Sequence, residues 1–553
     1  MKRILVAASV CVLAAPGSAS AARYAIGVQK GASPQAVARQ LEARSGHRVT
    51  NGPFGLSVRA PDARGLRGAP GVAWVERIRA SRRLSFVPND PLSGRQWYLN
   101  RINAFEAWPQ LPFMPRVRVA VLDSGIDTTH PELQDQVVAG ASFVASSWQN
   151  DTNGHGTFVA GEIAASLNNS QGIAGIAFPA QLLVAKIVRS DGTIAPDAEA
   201  AAIRWAVDHG ARVINMSFGG VRDPFDGNRD TYSPLEAAAV QYAVSNGVLV
   251  VAAVGNADSA PAEPWGFAGY PAALPHVLGV SAIARGGWAP SFSNRDALYN
   301  DLAAPGESIF STLPKALTAA TRPGCTPQGY SDCGPMEFRR GEGTSFSAPQ
   351  VSAAAALLFA SAPTLQSDQV GALLTRSAAD AQPSTGCNRC WEGRDSLTGW
   401  GVLDVAGAMS ALDNPPEADR YEANDEASSA ARVWGRKGQR LRATIDYWDD
   451  RVDVYKIHLR RGQLLVAKLR GPAPAETNLF LWKPHTKRVE GKAVNLRRLA
   501  ARATRPGSVE RIRVRARRSG WYFLEVKATA AGSGRYSLSF RKHPRPRAGA
   551  VLP

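Results

Sequence analysis

The strongest constraint on this chain is an alternation repeated through its middle. Residues 116–122, 182–188, 213–218, 248–254 and 277–283 are short, nearly continuous apolar runs, and segments of helical period at 195–209 and 234–245 lie between them. Continuous apolar strands are buried on both faces, and parallel strands need helical crossovers. The pattern therefore predicts an α/β domain: a parallel sheet with helices on both faces. In such sheets ligands bind beyond the carboxyl ends of the strands.

Asp123 falls at that end of the first run, in the turn Asp123-Ser124-Gly125-Ile126-Asp127. A second unusual setting is Asn153-Gly154-His155-Gly156-Thr157, followed by an apolar helical stretch at 158–165. Of the eight histidines, only His155 is flanked by glycines at a helix start. Such glycines let a substrate backbone approach the ring. The third setting is Gly343-Thr344-Ser345-Phe346-Ser347-Ala348-Pro349, at the mouth of an Ala-rich helix whose continuation, 351–358, is apolar all round. A helix N-terminus supplies positive potential and N–H groups without helical partners. A hydroxyl is a weak nucleophile, so Ser345 needs a base and an acid that orients it. Each motif alone reads as a turn or a packing feature. Together, in one order and in matching strand and helix contexts, they point to nucleophilic catalysis.

These three segments, in the chain order Asp, His, Ser, resemble the subtilisin-like serine proteases over about residues 96–411. The resemblance implies that Ser345 is the nucleophile, His155 the general base and acid, and Asp123 the group holding the imidazole. It implies that Asn256, which ends the run 247–254 as Gly255-Asn256, donates to the tetrahedral oxyanion. Ser217, Phe218 and Gly219 on one side, and the stretch Ala252-Ala253-Val254 with Gly255 on the other, would flank an extended protein or peptide substrate. Gly269 would floor the pocket for the residue before the cut, which predicts cleavage after large apolar or aromatic residues. The segment Leu167-Asn168-Asn169-Ser170-Gln171-Gly172-Ile173 resembles the family's calcium loop. Carbonyls of Leu167, Gln171 and Ile173 with the Asn169 side chain would supply oxygens to structural Ca²⁺. Glu132 stands where the family has Asp, and a metal-free polar loop is the competing reading. The chemistry itself implies no cofactor.

At 553 residues the chain exceeds one core, and two to four domains are expected. Residues 1–21 read as a secretory signal peptide, with a basic start, an apolar centre and Ala19-Ser20-Ala21 before the cut. Residues 22–85 read as a small α+β segment resembling the family's propeptide, an intramolecular folding aid and inhibitor. Its removal is expected between Ala80 and Asp90, with Arg82-Arg83 a weak dibasic candidate. The catalytic domain takes 86–412. Beyond Asn414-Pro415-Pro416, period-two runs at 451–459, 463–469, 511–514 and 521–526 predict a β-sandwich over 413–553, resembling the bacterial pre-peptidase C-terminal domain.

Export makes disulfides the expected state of Cys325, Cys333, Cys387 and Cys390, with Cys325–Cys333 and Cys387–Cys390 as the local pairing and zinc as the alternative. The net charge of +18 divides into +11 over residues 1–85, −10 over 86–412 and +17 over 413–553. No nucleic-acid motif accompanies the basic ends, so Arg511, Arg513, Arg515, Arg517 and Arg518 read as a solvated strand face. No later run reaches transmembrane length, and a secreted monomer is expected. Two rivals differ in class. An esterase or ligase would use the same acyl-enzyme, but no G-x-S-x-G elbow is present. A silenced protease would act as a surface-binding protein.

Overall fold

The structure is a computed structural model. It describes residues 22–544 except 30, 53–54, 61–62, 64, 78–85, 109–113, 319–337, 434, 436, 448–449, 473–474 and 490–493. The expected signal peptide, the Arg82-Arg83 pair and the Cys325–Cys333 pairing lie outside the described residues. The chain divides into two compact units, one up to Leu84 and one from Ser85 onward.

The first unit contains β1 (Ala22–Val28), α1 (Pro34–Ser45), β2 (Val49–Gly52), β3 (Gly55–Ala60) and β4 (Val72–Arg77), in an antiparallel sheet of order β2-β3-β1-β4. Ser33 accepts the Ala36 N–H, Pro34 occupies the first turn, and Gly46 ends α1 at φ 71°. Val37 and Leu41 bury against Ile26, Leu56 and Val58. Strand β2, Val-Thr-Asn-Gly, is short, and its Val49 reaches the core.

In the second unit two short helices, α2 (Trp97–Arg101) and α3 (Ala104–Ala107), precede the main sheet. Its strands are β5 (Val117–Asp123), β6 (Val137–Ser142), β7 (Ala180–Lys186), β8 (Val213–Met216), β9 (Leu249–Ala253), β10 (Val277–Ile283) and β11 (Leu302–Pro305). Their order is β11-β10-β9-β8-β5-β7-β6, and every pairing is parallel. Side chains of β5 alternate between two cores. Val117, Val119 and Val121 pack with α4 (His155–Ala164), α7 (Ala348–Ser361), α8 (Ser367–Ser377) and α9 (Val405–Ala411). Ala120 and Leu122 pack with α5 (Pro196–Asp208) and α6 (Pro234–Ser245) on the opposite face. The sheet is therefore covered on both sides, as the apolar runs require. Two further strands, β12 (Ile309–Thr312) and β13 (Phe338–Gly341), pair antiparallel as a separate two-stranded sheet. Because the chain leaves β5 toward β7 on one side and returns through β8 on the other, a crevice opens at their carboxyl ends.

The C-terminal region is a β-sandwich. One sheet has the order β14 (Ala431–Arg432), β16 (Val452–Leu459), β21 (Gly520–Ala528), β18 (Thr477–Trp482), β19 (Leu499–Ala503). The other runs β15 (Gly438–Asp446), β22 (Ser533–His543), β17 (Leu464–Arg470), β20 (Val509–Arg515). All pairs are antiparallel except β14 with β16. Alternate residues such as Leu441, Ile445, Leu538 and Phe540 fill the core. Arg511, Arg513, Arg515, Arg517 and Arg518 are all exposed. Cys387 and Cys390 form a disulfide.

Candidate active site

Asp123 is the last residue of β5, and its carboxylate is almost fully buried. His155 is the first residue of α4, and its Nδ1 lies 2.9 Å from each Asp123 oxygen. The ring nitrogen facing a carboxylate carries the proton, so Nε2 is left with a lone pair. Burial alone would lower the ring's pKa. The charge and hydrogen bond of Asp123, aided by Asp151, outweigh it and raise the value above 6.5.

Asp151 is the part of this arrangement that sequence reading missed. Its Oδ1 accepts the Ser124 hydroxyl and the Gly154 N–H, each at 2.8 Å. Its Oδ2 accepts the Thr157 N–H at 2.9 Å and the Thr157 hydroxyl at 2.6 Å. One buried carboxylate thus caps α4 and ties it to the turn after β5. The glycine after His155 has a different reason from the one expected. A Cβ on Gly156 would lie 2.2 Å from the Gly125 carbonyl oxygen, so it is the protein's own turn that approaches there, not a substrate backbone.

Ser345 sits in a single 3-10 turn, Thr344–Phe346, immediately before α7. The turn is held from three sides. Gly343 N–H donates to the Gly306 carbonyl at 2.8 Å, and Ser347 Oγ donates to Ala304 O at 3.0 Å. Thr344 donates both its N–H (2.9 Å) and its hydroxyl (3.0 Å) to Asn256 Oδ1. That double acceptance orients the Asn256 amide and leaves Nδ2 for the cleft. Gly343 has φ 141°, and a Cβ there would stand 3.4 Å from Asn256 Nδ2 and 3.8 Å from Ser345 N. The Phe346 ring is buried against Phe158 and lies 5.4 Å, centroid to centroid, from His155.

A cleft of about 260 Å³ brings Asp123, His155, Ser345 and Asn256 together with Ser217, Phe218, Gly219, Ala253 and Gly255. Gly269 is not among its lining residues. Its N–H donates to Val254 O at 2.8 Å, and a Cβ on it would meet Gly220 O at 2.4 Å. Its glycine character therefore serves the close Gly220–Tyr270 bridge beside the cleft. Sequence reading also missed Val188 and Ile194, bridged to each other in the opposite wall, and Asp258 at the exposed rim.

The loop 167–173 lies against Glu132 and against Asp90, a residue not selected from sequence. Asp90 is buried and accepts the Asn168 and Asn169 N–H groups at 2.8 and 3.0 Å. Gly172 has no room for a side chain, because a Cβ would lie 2.3 Å from Glu132 Oε1. Asn169 turns its Nδ2 to Glu132 at 3.4 Å and its Oδ1 to the Gln171 N–H at 2.9 Å. Two carboxylates against a backbone-rich loop form an all-oxygen set, which suits a hard cation. Asn169 already spends its oxygen within the loop.

Residues 115–401 match the family model described as the Subtilase family. The chain is 36% identical over 307 residues to Subtilisin E of Bacillus subtilis (strain 168), an alignment covering 55% of this chain and 70% of that protein. It is 39% identical over 256 residues to Subtilisin of Bacillus pumilus, covering 46% and 80%. It is 38% identical over 238 residues to Thermitase of Thermoactinomyces vulgaris, covering 42% and 79%. Among the described residues no helix is long and apolar enough to cross a membrane.

Proposed function

The chain belongs to the subtilase family and is a subtilisin-like serine endopeptidase, and from that premise we propose that Asp123, His155, Ser345 and Asn256 carry its chemistry. Ser345 Oγ attacks the peptide carbonyl as His155 Nε2 takes its proton, and the imidazolium formed is stabilised by Asp123. Asn256 Nδ2 and the Ser345 N–H hold the oxyanion. His155 then returns the proton to the leaving amine, and water repeats the sequence on the acyl-enzyme. The observation that carries this reading is the His155 Nδ1–Asp123 pair, at 2.9 Å to both oxygens in the cleft that Ser345 lines.

Substrate would run as an extended strand along Ser217–Gly219 and Ala253–Gly255, with a large apolar or aromatic residue before the cut. Residues 1–21 direct export, residues 22–85 act as the intramolecular inhibitor removed on maturation, 86–412 form the catalytic domain and 413–553 the linker and sandwich. Calcium at the 167–173 loop would be held by Glu132 and Asp90 with carbonyls of Leu167, Gln171 and Ile173. It would clamp the segment around Asp90 and take no part in bond making. A serine-directed phosphonate should label Ser345 in the processed protein. Ser345→Ala should abolish labelling and peptide hydrolysis and leave residues 22–85 attached; a labelled or self-processed Ser345→Ala chain would refute the assignment.

A further inference from the structure

Beyond the rim of the cleft the surface stays apolar. Val221 and Ala260 line the cleft, and each opens a surface loop, 221–232 and 260–268. The two loops are tied together. Trp265 Nε1 donates to the Arg222 carbonyl at 3.2 Å, and Arg222 Nε donates to Ala268 O at 3.1 Å. Aromatic rings from both loops meet on this pair. Phe225 and Phe267 lie 5.6 Å apart, centroid to centroid, and Trp265 and Phe267 5.4 Å apart, both edge to face. Trp265 and Phe267 are half-buried, whereas Phe225 is 85% exposed.

Single apolar side chains are ordinary on a surface, but rings in mutual contact beside a cleft mark an interaction site. The loop is also built to hold Phe225 outward. Asp223, 1% exposed, accepts the Phe225 and Asp226 N–H groups at 2.9 and 3.0 Å. Arg229 pairs with Asp223 and with Asp226, at 3.1 Å each. At the base of the loop the Thr231 N–H donates to Val221 O at 3.0 Å, next to the Gly220–Tyr270 bridge. Arg222 pairs with Asp296 and lays its guanidinium 5.1 Å from the Phe267 ring centroid. A ring fixed before contact has little freedom left to lose, so its burial goes into affinity.

We propose that this aromatic shelf is an exosite, which binds an aromatic or large aliphatic side chain of a protein substrate outside the stretch lying in the cleft. It rests on the reading of the cleft as the substrate site, since a chain extended along Ser217–Gly219 and on past Gly220 arrives at Val221, where the shelf begins. The ligand is apolar because Arg222, Asp223 and Arg229 are already paired within the protein, which leaves the rings as the surface on offer. The shelf gives the enzyme a substrate class: unfolded, apolar-rich polypeptides in preference to short peptides.

The test compares the processed parent with Phe225→Ser and Phe225→Leu on two substrates. One is a short chromogenic peptide anilide that fills only the cleft; the other is β-casein, an unfolded protein. Phe225→Ser should lower kcat/KM on β-casein about tenfold, chiefly through KM, and leave the anilide unchanged. Unchanged anilide kinetics also report that the variant has folded. Phe225→Leu, which keeps an apolar side chain, should recover most of the loss. Equal rates of the parent and Phe225→Ser on β-casein would overturn the exosite. So would an equal loss on both substrates, which would make the loop a support of the cleft. A parent that cleaves neither substrate would overturn the cleft reading, and the exosite with it.

Discussion

His155 owes its position to two carboxylates of different kinds. Asp123 meets the ring directly, whereas Asp151 holds the first turn of α4. With the ring's pKa raised above 6.5, the neutral base is lost at higher pH than for a free histidine, so activity falls as the solution is acidified through that value. Asp123→Asn should lower kcat on the order of 10⁴-fold. It should also move the acid limb of kcat/KM to lower pH, because the carboxylate that raised the pKa is gone. A pH–rate profile measures this, and an unmoved limb would remove Asp123 from its role. For Asn256→Ala the expected loss is roughly 10²–10³ in kcat with little change in KM, since the donor acts on charge that develops only in the transition state. Steady-state kinetics would contradict the role by showing unchanged turnover. At this scale, sequence marked the residues with unusual neighbours, namely Asp123, His155, Ser345 and Asn256. It could not mark Asp151 or Asp90, whose flanking residues resemble any polar loop and whose partners lie elsewhere in the chain.

Among the elements, α5 and α6 carry an unusual pair. Glu199 and Glu236 are both buried, 6% and 4% exposed. Burial first, and then the charge of Glu236, push the Glu199 carboxyl up to about 10. The folded state therefore keeps a proton that the unfolded chain releases above 4.5, and this contribution to stability is lost as pH rises from 4.5 toward about 10. Glu199→Gln, which imitates the protonated acid, should raise the melting temperature relative to the parent by a margin that grows across that window. Thermal melts at several pH values would show it; a margin independent of pH would mean that the pair is not protonated in the fold.

Helix and strand positions at this scale follow local pattern closely. The expected 277–283 run is β10 (Val277–Ile283), and 234–245 is α6 (Pro234–Ser245). Strands β15 and β22 alternate Arg440, Arg442, Arg535 and Arg541 on their outer faces with buried residues inside. Their overall polarity masks the period.

For the molecule as a whole, segments distant in sequence are held together by buried side chains, as Asp90 is to the 167–173 loop. If calcium occupies the 167–173 loop, chelator should lower the melting temperature of the full chain, because an ion that binds only the folded state stabilises it by mass action. Asp90→Asn should shrink that drop. A drop of the same size in Asp90→Asn would exclude the loop. The Asn168 and Asn169 N–H groups that Asp90 accepts lie 78 and 79 residues along the chain from it, so the loop's own residues do not reveal it.

Periodicity, turn chemistry and glycine placement are short-range properties. They determined the order of strands and helices, the covered parallel sheet and the residues worth suspecting. Convergence is not short-range. Asn256 meets Thr344 across 88 residues, His155 meets Asp123 across 32, and His276 meets Asp425 across 149. Only the tertiary structure decided those meetings, because they depend on which strand ends the sheet order sets side by side.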